Sequence, residues 1–502
     1  MSDTWQHLLF GFQVALRPEN LALALAGAVV GTIVGVLPGI GPVGGIALLL
    51  PLTFRLPPAS AMIMLTAVYY GTMYGGSTTS ILMNVPGEAS SVVTTFDGYA
   101  MARQGRAGPA LAIAAVGSFI AGTLSTIALT FFSPLLATWG LAFGPPEYFG
   151  LMVFGLSAVS SLAGESLVKA LLSMGFGLML ATVGTDLVTG VPRYTFNIPY
   201  LLDGIDFVVV VIGLFAVSEV MVSAEAAVGE VRVPVKIERI WLSLKDFVQS
   251  FWAIIRGSVI GFYIGILPAA GATIASFLAY SVEKQLARDP STFGRGDIRG
   301  VAAPESANNA AAVGNMIPML TLGIPGSSTT ALMMGALLVL NVVPGPMLFQ
   351  QHPDVVWGLV ASMYVSNLVL LILNLPLVGL FVRILYVPER VLLPAILAIC
   401  VVGTYAVNFS AFDLLTMTVL GLGAYYLRKN DYPLGPAVLG LVLGDLMEQN
   451  LRRALIMSKG SPAIFVARPV SAVLLALSVL SLCAPALLRL ARRRRSAEAA
   501  AG

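Results

Sequence analysis

Charge is scarce in this chain: Lys, Arg, Asp and Glu make up 11% of 502 residues, less than half the roughly 25% of ordinary soluble domains. So little charge cannot clothe a large water-facing surface. Histidine and cysteine are rarer still, with only His7, His352, Cys400 and Cys483 in the whole sequence. Four such isolated residues supply neither a metal cluster, nor a disulfide framework, nor a nucleophile with its base. Both cysteines lie in apolar runs, where a free thiol packs as a small hydrophobe. No Walker phosphate loop occurs, so ATP hydrolysis by the chain itself is not expected. "GIGPVG" at 39–44 spells G-x-G-x-x-G, yet a dinucleotide site would need a strand before it and an acidic residue about 20 positions on, and "LLPLTFRLPP" follows instead. Basic and acidic residues number 28 and 25, too even a balance for a nucleic-acid partner. The sequence therefore predicts no enzyme, no resident metal and no organic cofactor. The first 20 residues lack a basic start, an apolar core and a small-residue cleavage site, so no removable signal peptide is expected.

What is abundant is apolar surface. Hydrophobic residues make up 57% of the chain, with long runs at 108–132, 167–183, 207–223, 359–382, 390–408 and 470–490. Each approaches or exceeds the ~20 residues that cross a hydrocarbon core. The fold class predicted is an all-α polytopic membrane protein of roughly 10–12 transmembrane helices, embedded in a lipid bilayer. Basic residues gather between the runs, at Arg103 and Arg106, at Arg232 to Lys245, at Lys284 to Arg299, at Arg428 and Lys429, at Arg452 to Lys459, and in "ARRRR" at 491–495. By the positive-inside rule such stretches are cytoplasmic candidates. One conflict arises, because a single span at 470–490 cannot put both Arg452–Lys459 and the tail on one side; the tail is taken as the cytoplasmic one.

Within this oily background, "GVLPGIGPVGG" at 35–45 packs glycine and proline where a spanning helix would hold leucine. It has a partner: "GVLPGIG" from residue 35 recurs as "GILPAAG" from residue 265, an offset of 230. "NVPGEASS" from residue 84 recurs as "GIPGSSTT" from residue 323, an offset of 239, and the charged stretch "EKQLARDPSTFGRGDIRG" absorbs the difference. The predicted organisation is two internal repeats with re-entrant or broken helices, 1–230 and 231–400, followed by C-terminal transmembrane helices and a basic tail over 401–502. Around "LPAAG" two arrangements are open, a hairpin turning at the motif or one helix unwound at Pro268.

Broken hydrophobic segments at matching positions of two halves point to a secondary transporter's binding site, because non-helical backbone at membrane depth survives only where protein or a wet cavity surrounds it. Two polar segments adjoin the breaks: 69–99, with Ser77, Thr78, Asn84, Pro86, Gly87 and Ser90, and 303–330, with Asn308, Asn309, Pro325, Gly326, Ser327 and Ser328. Together with Gly39 and Gly41 these are the candidate substrate-binding residues, since hydroxyls, amides and freed backbone groups can hold carboxylates or replace a small cation's water. Ionisable residues at depth are functional by default, which selects Glu88, Asp97 and Glu305 as candidate cation-coupling groups. No Lys or Arg lies between Arg55 and Arg103, so helix N-termini are the anion-binding groups at hand.

The motifs "GVLPGIGPVGG", "YGGSTTSILMNVPGE", "PESANNAA" and "LTLGIPGSSTTA" resemble those of the large membrane subunit of tripartite tricarboxylate transporters, the TctA family, over about residues 20–460. The resemblance implies a multi-pass protein of the bacterial inner membrane that imports a carboxylate by symport with Na or H. It also implies two partners, a small membrane subunit and a periplasmic solute-binding protein. An anion channel, or another polytopic membrane protein without coupled transport, is the alternative; a channel would conduct without a binding protein.

Overall fold

A computed structural model describes residues 2–37, 39–157, 166–186, 189–226, 235, 237, 240–267, 271–387 and 389–482. Pro38, the "PAA" of the second motif, Cys483 and the basic tail lie outside these. Among the described residues, six helices are long and apolar enough to cross a membrane, and the β-structure there is one antiparallel ladder of two residues per strand, Gly184–Thr185 with Pro192–Arg193. The chain is an all-α polytopic membrane protein.

Its contacts gather into two compact units, one of residues 1–140 with 206–426 and one of 141–205 with 427–502. The larger opens with α1 (Ser2–Ala15), α2 (Pro18–Val36), α3 (Gly41–Thr53) and α4 (Pro58–Met83), then α5 (Val92–Met101) and the 34-residue α6 (Ala107–Gly140). The smaller takes α7 (Pro145–Ser157) and α8 (Leu167–Ala181). The chain returns to the larger unit with α9 (Phe207–Val211), which passes through a π-turn at Ile212–Val217 into α10 (Ser218–Ala226). There follow α11 (Leu244–Ile266), α12 (Gly271–Leu286), α13 (Arg299–Gly314), α14 (Met316–Leu322), α15 (Ser328–Val339), α16 (Pro353–Asn374), α17 (Glu389–Asn408) and α18 (Ala411–Lys429), and α19 (Gly435–Met457) belongs to the smaller unit. Proline opens the first turn of α2, α4, α16 and α19, where its missing N–H costs nothing.

Glycine decides how the larger unit packs. Along α2, a Cβ added at Gly27, Gly31 or Gly35 would collide with the backbone carbonyl of Met64, Val68 or Thr72 of α4, 2.5 Å away in the first case. Along α11, a Cβ at Gly257, Gly261 or Gly265 would collide with the carbonyl of Ala303, Ala307 or Ala311 of α13. In each pair the first residue is shifted by 230 and the second by 239, the two offsets already visible in the motifs. Glycines four apart stack on one helical face, and backbones then touch, as in close helix crossings within membranes.

The helices also end alike. After α4, Asn84 is left-handed at φ 57°, ψ 31°, and after α14, 239 positions on, Gly323 is left-handed at φ 69°, ψ 32°. Glycine takes this conformation freely, and asparagine is among the few other residues that tolerate it. Asn84→Gly is therefore expected to keep thermal stability, whereas Asn84→Ala should lose about 1 kcal/mol, readable as a lowered unfolding temperature in detergent. Arg256 of α11 makes a two-nitrogen ion pair with Glu283 of α12. Since these residues lie ten before the end of α11 and twelve after the start of α12, the two helices run antiparallel.

In the smaller unit α8 and α19 run parallel: a Cβ at Gly177 would strike Ala437, one at Gly440 would lie 2.9 Å from the Leu178 nitrogen, and one at Gly444 would lie 2.9 Å from Ala181 Cβ. At one end, the Lys169 amine donates to the Asn430 carbonyl at 2.7 Å. At the other, Asp186 and Glu448 share Arg193 and Arg452 at 2.6–3.3 Å. The basic pairs 428–429 and 452–453 thus stand at opposite ends of α19, and at the far end Arg452 is matched by acids.

Candidate functional site

The two polar segments meet inside the larger unit. Glu305 sits on the second turn of α13, 0% exposed, and its carboxylate accepts hydrogen bonds from the Ser77 hydroxyl of α4 and the Thr94 hydroxyl of α5. One turn further along α13, the Asn308 amide donates to Glu88 Oε1 at 3.0 Å, and Ser90 donates to that same carboxylate. Ser90 Oγ also lies 3.1 Å from Asn308 Oδ1. Asn309 donates to Ser118 Oγ at 2.6 Å and to the Glu305 carbonyl at 3.2 Å. Spacing explains the convergence, because 305, 308 and 309 share one face of a helix.

Local backbone brings Glu88 there. Past the left-handed Asn84 the chain continues without helix through Pro86 and Gly87 to Glu88, extended at φ −148°, ψ 167°, where Ser91 closes the first turn by accepting from the Glu88 N–H at 3.3 Å. A Cβ at Gly87 would lie 2.5 Å from Gly76 Cα, and one at Gly76 would lie 2.9 Å from Glu88 Cγ, so two glycines let this loop lie flat on α4. Gly41, left-handed at φ 61°, faces Glu88 Cβ across the site, while Gly39 at φ 91° faces Glu219. The counterpart of Glu88 is Ser327, at φ −156°, ψ 169°, whose hydroxyl accepts from the Thr330 N–H at 3.2 Å and whose own N–H donates to the Thr330 hydroxyl oxygen at 2.9 Å. Pro325 and Gly326 precede it and Ser328 opens α15; a Cβ at Gly326 would lie 2.7 Å from Asn315 Oδ1.

Asp97 stands apart from both acids' partners. One of its oxygens accepts from the backbone N–H groups of Gly294, Gly296 and Asp297 at 2.8–2.9 Å, and the other accepts from the Tyr280 hydroxyl at 2.9 Å. Its carboxylate is consumed in fastening the charged 287–298 stretch to α5. In that stretch Asp297 is itself clamped: burial would raise its carboxyl, but Arg299 and Thr292 outweigh it and hold it below the usual range. Asp97→Ala would leave three N–H groups without their acceptor at about 1–3 kcal/mol each. Trypsin cleavage after Arg295 in the folded protein should then quicken at least tenfold, while Asp97→Asn, which keeps an acceptor oxygen, should show a smaller effect.

Sequence reasoning missed several participants. Thr94 and Ser118 carry no motif and look like small packing residues. Asn367 and Asn374, seven apart on one face of apolar α16, offered the only signal. Asn367 accepts from the Tyr74 hydroxyl at 2.7 Å and donates to the Phe119 carbonyl at 2.8 Å. Asn374, with Tyr74, Ser77, Thr78 and Ser118 and the apolar Leu111, Ala114 and Ala115, lines a cavity of about 10 Å³ beside the site, room for about one water. Tyr69 accepts from the Asn315 amide at 3.1 Å.

Chemically, the cluster holds two buried carboxylates, Glu305 supplied with two hydroxyl donors and Glu88 with one hydroxyl and one amide, and neither ion-paired to a lysine or arginine among the described residues. A buried unpaired charge costs several kcal/mol, so such a pair favours a proton or a bound cation.

Residues 21–439 match the model of the "Tripartite tricarboxylate transporter TctA family". The chain belongs to the TctA family. Within it, the chain is 46% identical over 480 residues, 95% of both chains, to an Agrobacterium vitis protein named "Uncharacterized 52.8 kDa protein in TAR-I ttuC' 3'region". It is 47% identical over 219 residues, 44% of this chain and 90% of the other, to "Uncharacterized protein in TAR-II ttuC' 3'region" from the same organism. No solved structure matches. Family membership identifies a transporter, the large subunit of a tripartite system, and agrees with the motifs that suggested it.

Proposed function

We propose that this TctA-family subunit imports a tricarboxylate or related organic acid across the bacterial inner membrane, driven by a Na or H gradient, with a small membrane subunit and a periplasmic solute-binding protein as partners. The observation that carries the coupling is the Glu88–Asn308–Glu305 cluster. Two acids without a basic partner are suited to take up a proton or a cation as substrate enters. The paired left-handed breaks at Asn84 and Gly323, each followed by a helix whose first turn is closed by a Ser or Thr hydroxyl, are suited to hold substrate carboxylates on helix N-termini. The common offsets of 230 and 239 in motifs, glycine crossings and helix ends support a duplicated architecture, and α11–α12 fits a re-entrant hairpin.

Sidedness follows the basic residues. Arg106 pairs with Asp246 at 2.9 Å, which joins the 103–106 and 245–246 stretches at one face. Glu225 accepts from the Tyr425 hydroxyl at 2.9 Å, one turn before Arg428, at the end of the 207–225 span that leads into the basic 232–245 segment. The positive-inside rule makes such basic stretches cytoplasmic; applied to the 491–495 tail, it leaves the 452–459 stretch, across the single span at 470–490, periplasmic, and with it the Asp186–Arg452 end of α19.

The test is uptake of radiolabelled citrate and smaller dicarboxylates into proteoliposomes holding both membrane subunits, with loaded binding protein outside and Na or pH gradients imposed. Uptake should vanish when both gradients are collapsed. Flux that persists without gradient or binding protein would support the channel.

A further inference from the structure

We propose that residues 189–205 form the docking ridge for the soluble solute-binding protein, which presents lysine or arginine side chains to the acid-rimmed cavity beside the ridge. The inference rests on the binding-protein reading above and on the periplasmic placement of this end of α19.

Three consecutive features single out the ridge. Tyr194, Phe196 and Asn197 are all left-handed, at φ 52°, 49° and 60°, a conformation that asparagine accepts and that tyrosine and phenylalanine resist. Phe196 is nonetheless 80% exposed and Tyr194 62% exposed, so no burial within the chain compensates the strain. The segment is also held firmly at its base, through the Gly184–Arg193 pairing and the Arg193 bonds to Asp186 and Glu448. A braced, strained turn that holds aromatic rings outward is the arrangement of a contact surface, where a few aromatic anchors carry most of the binding energy.

The adjoining cavity supplies the partner's chemistry. Its lining includes Asp186, Asp203, Asp445 and Glu448 against Arg193 and Arg452, a formal charge of −2 over these six. The two arginines are engaged with Asp186 and Glu448, while Asp203 and Asp445 form no ion pair among the described residues. Such a rim attracts a basic protein surface and repels lipid phosphates, which favours a soluble partner over the bilayer as the occupant of the ridge.

The experiment measures uptake by the complete reconstituted transporter against the concentration of its loaded binding protein. Two variants are compared with wild type: Tyr194→Asn with Phe196→Asn, which keeps the left-handed backbone, and Asp203→Lys with Asp445→Lys. Each should raise the half-saturating binding-protein concentration at least tenfold and leave maximal uptake within about twofold. The charge variant should also flatten the dependence on ionic strength. A wild-type transporter that runs at full rate without binding protein overturns the underlying reading. One that requires it, while both variants keep wild-type half-saturation, overturns the ridge alone. Phe196→Trp fluorescence that brominated lipid quenches before any binding protein is added assigns the ridge to the bilayer and overturns it equally.

Discussion

Glutamine in place of Glu305 is expected to reduce gradient-driven uptake at least a hundredfold while the yield of folded protein stays near wild type. Glutamine keeps the shape and a carbonyl acceptor, and the Ser77 and Thr94 hydroxyls that meet Glu305 can rotate to accept from its amide. The packing therefore survives. What is lost is a group able to change charge, which gradient coupling needs and simple binding does not. Exchange of labelled for unlabelled substrate across the membrane without a gradient should accordingly fall by much less than net uptake. Equal losses in both measurements would make Glu305 a packing residue. Glu305→Ala is a harsher change, since it strands two hydroxyls in a fully buried place at about 1–3 kcal/mol each, and its yield should fall along with its transport.

The second large effect concerns the helix crossings. Isoleucine in place of Gly31 or Gly261 would put a branched side chain where even a lone Cβ collides with a backbone carbonyl. Backbone cannot swing aside as a side chain can, so the helices must separate along their length. The expected cost is about 3 kcal/mol or more, the upper end for overpacked interiors, and monodisperse protein should be lost on gel filtration in detergent. Gly423→Ala is the control. It lies on α18 with nothing within 4 Å of its Cβ position, and alanine there should be neutral or raise stability by up to about 1 kcal/mol. Similar behaviour of the two substitutions would mean that the crossings do not limit stability.

These residues also show what could be read from the chain alone. Apolar runs gave the class, and the repeated Gly-Pro motifs gave the offsets that reappear in the crossings of α2 on α4 and α11 on α13. Glu88, Glu305, Asn308 and Ser90 were legible as candidates because polar groups at membrane depth are expensive. Their partnership was not, since Ser77 and Glu305 are 228 positions apart and no local pattern encodes which hydroxyl meets which acid. Segment 69–99 was ambiguous for a physical reason. Its first half completes α4, whose residues from Ala59 to Leu82 are all buried; a helix enclosed by protein needs no lipid-facing hydrophobicity, so the usual criterion for a span does not apply. Asp97 looked identical to Glu88 in sequence, and only the loop folded over it distinguishes the two.

That loop has a consequence in time. Asp97 and Asp297 are 200 residues apart, a stretch that takes roughly 10–40 s to synthesise at ~5–20 residues per second. Through that interval the α2–α4 crossing can already be made, while the Asp97 carboxylate still lacks its three backbone donors. Closure around Asp97 is thus a late step, possible only once the second half of the chain has been made.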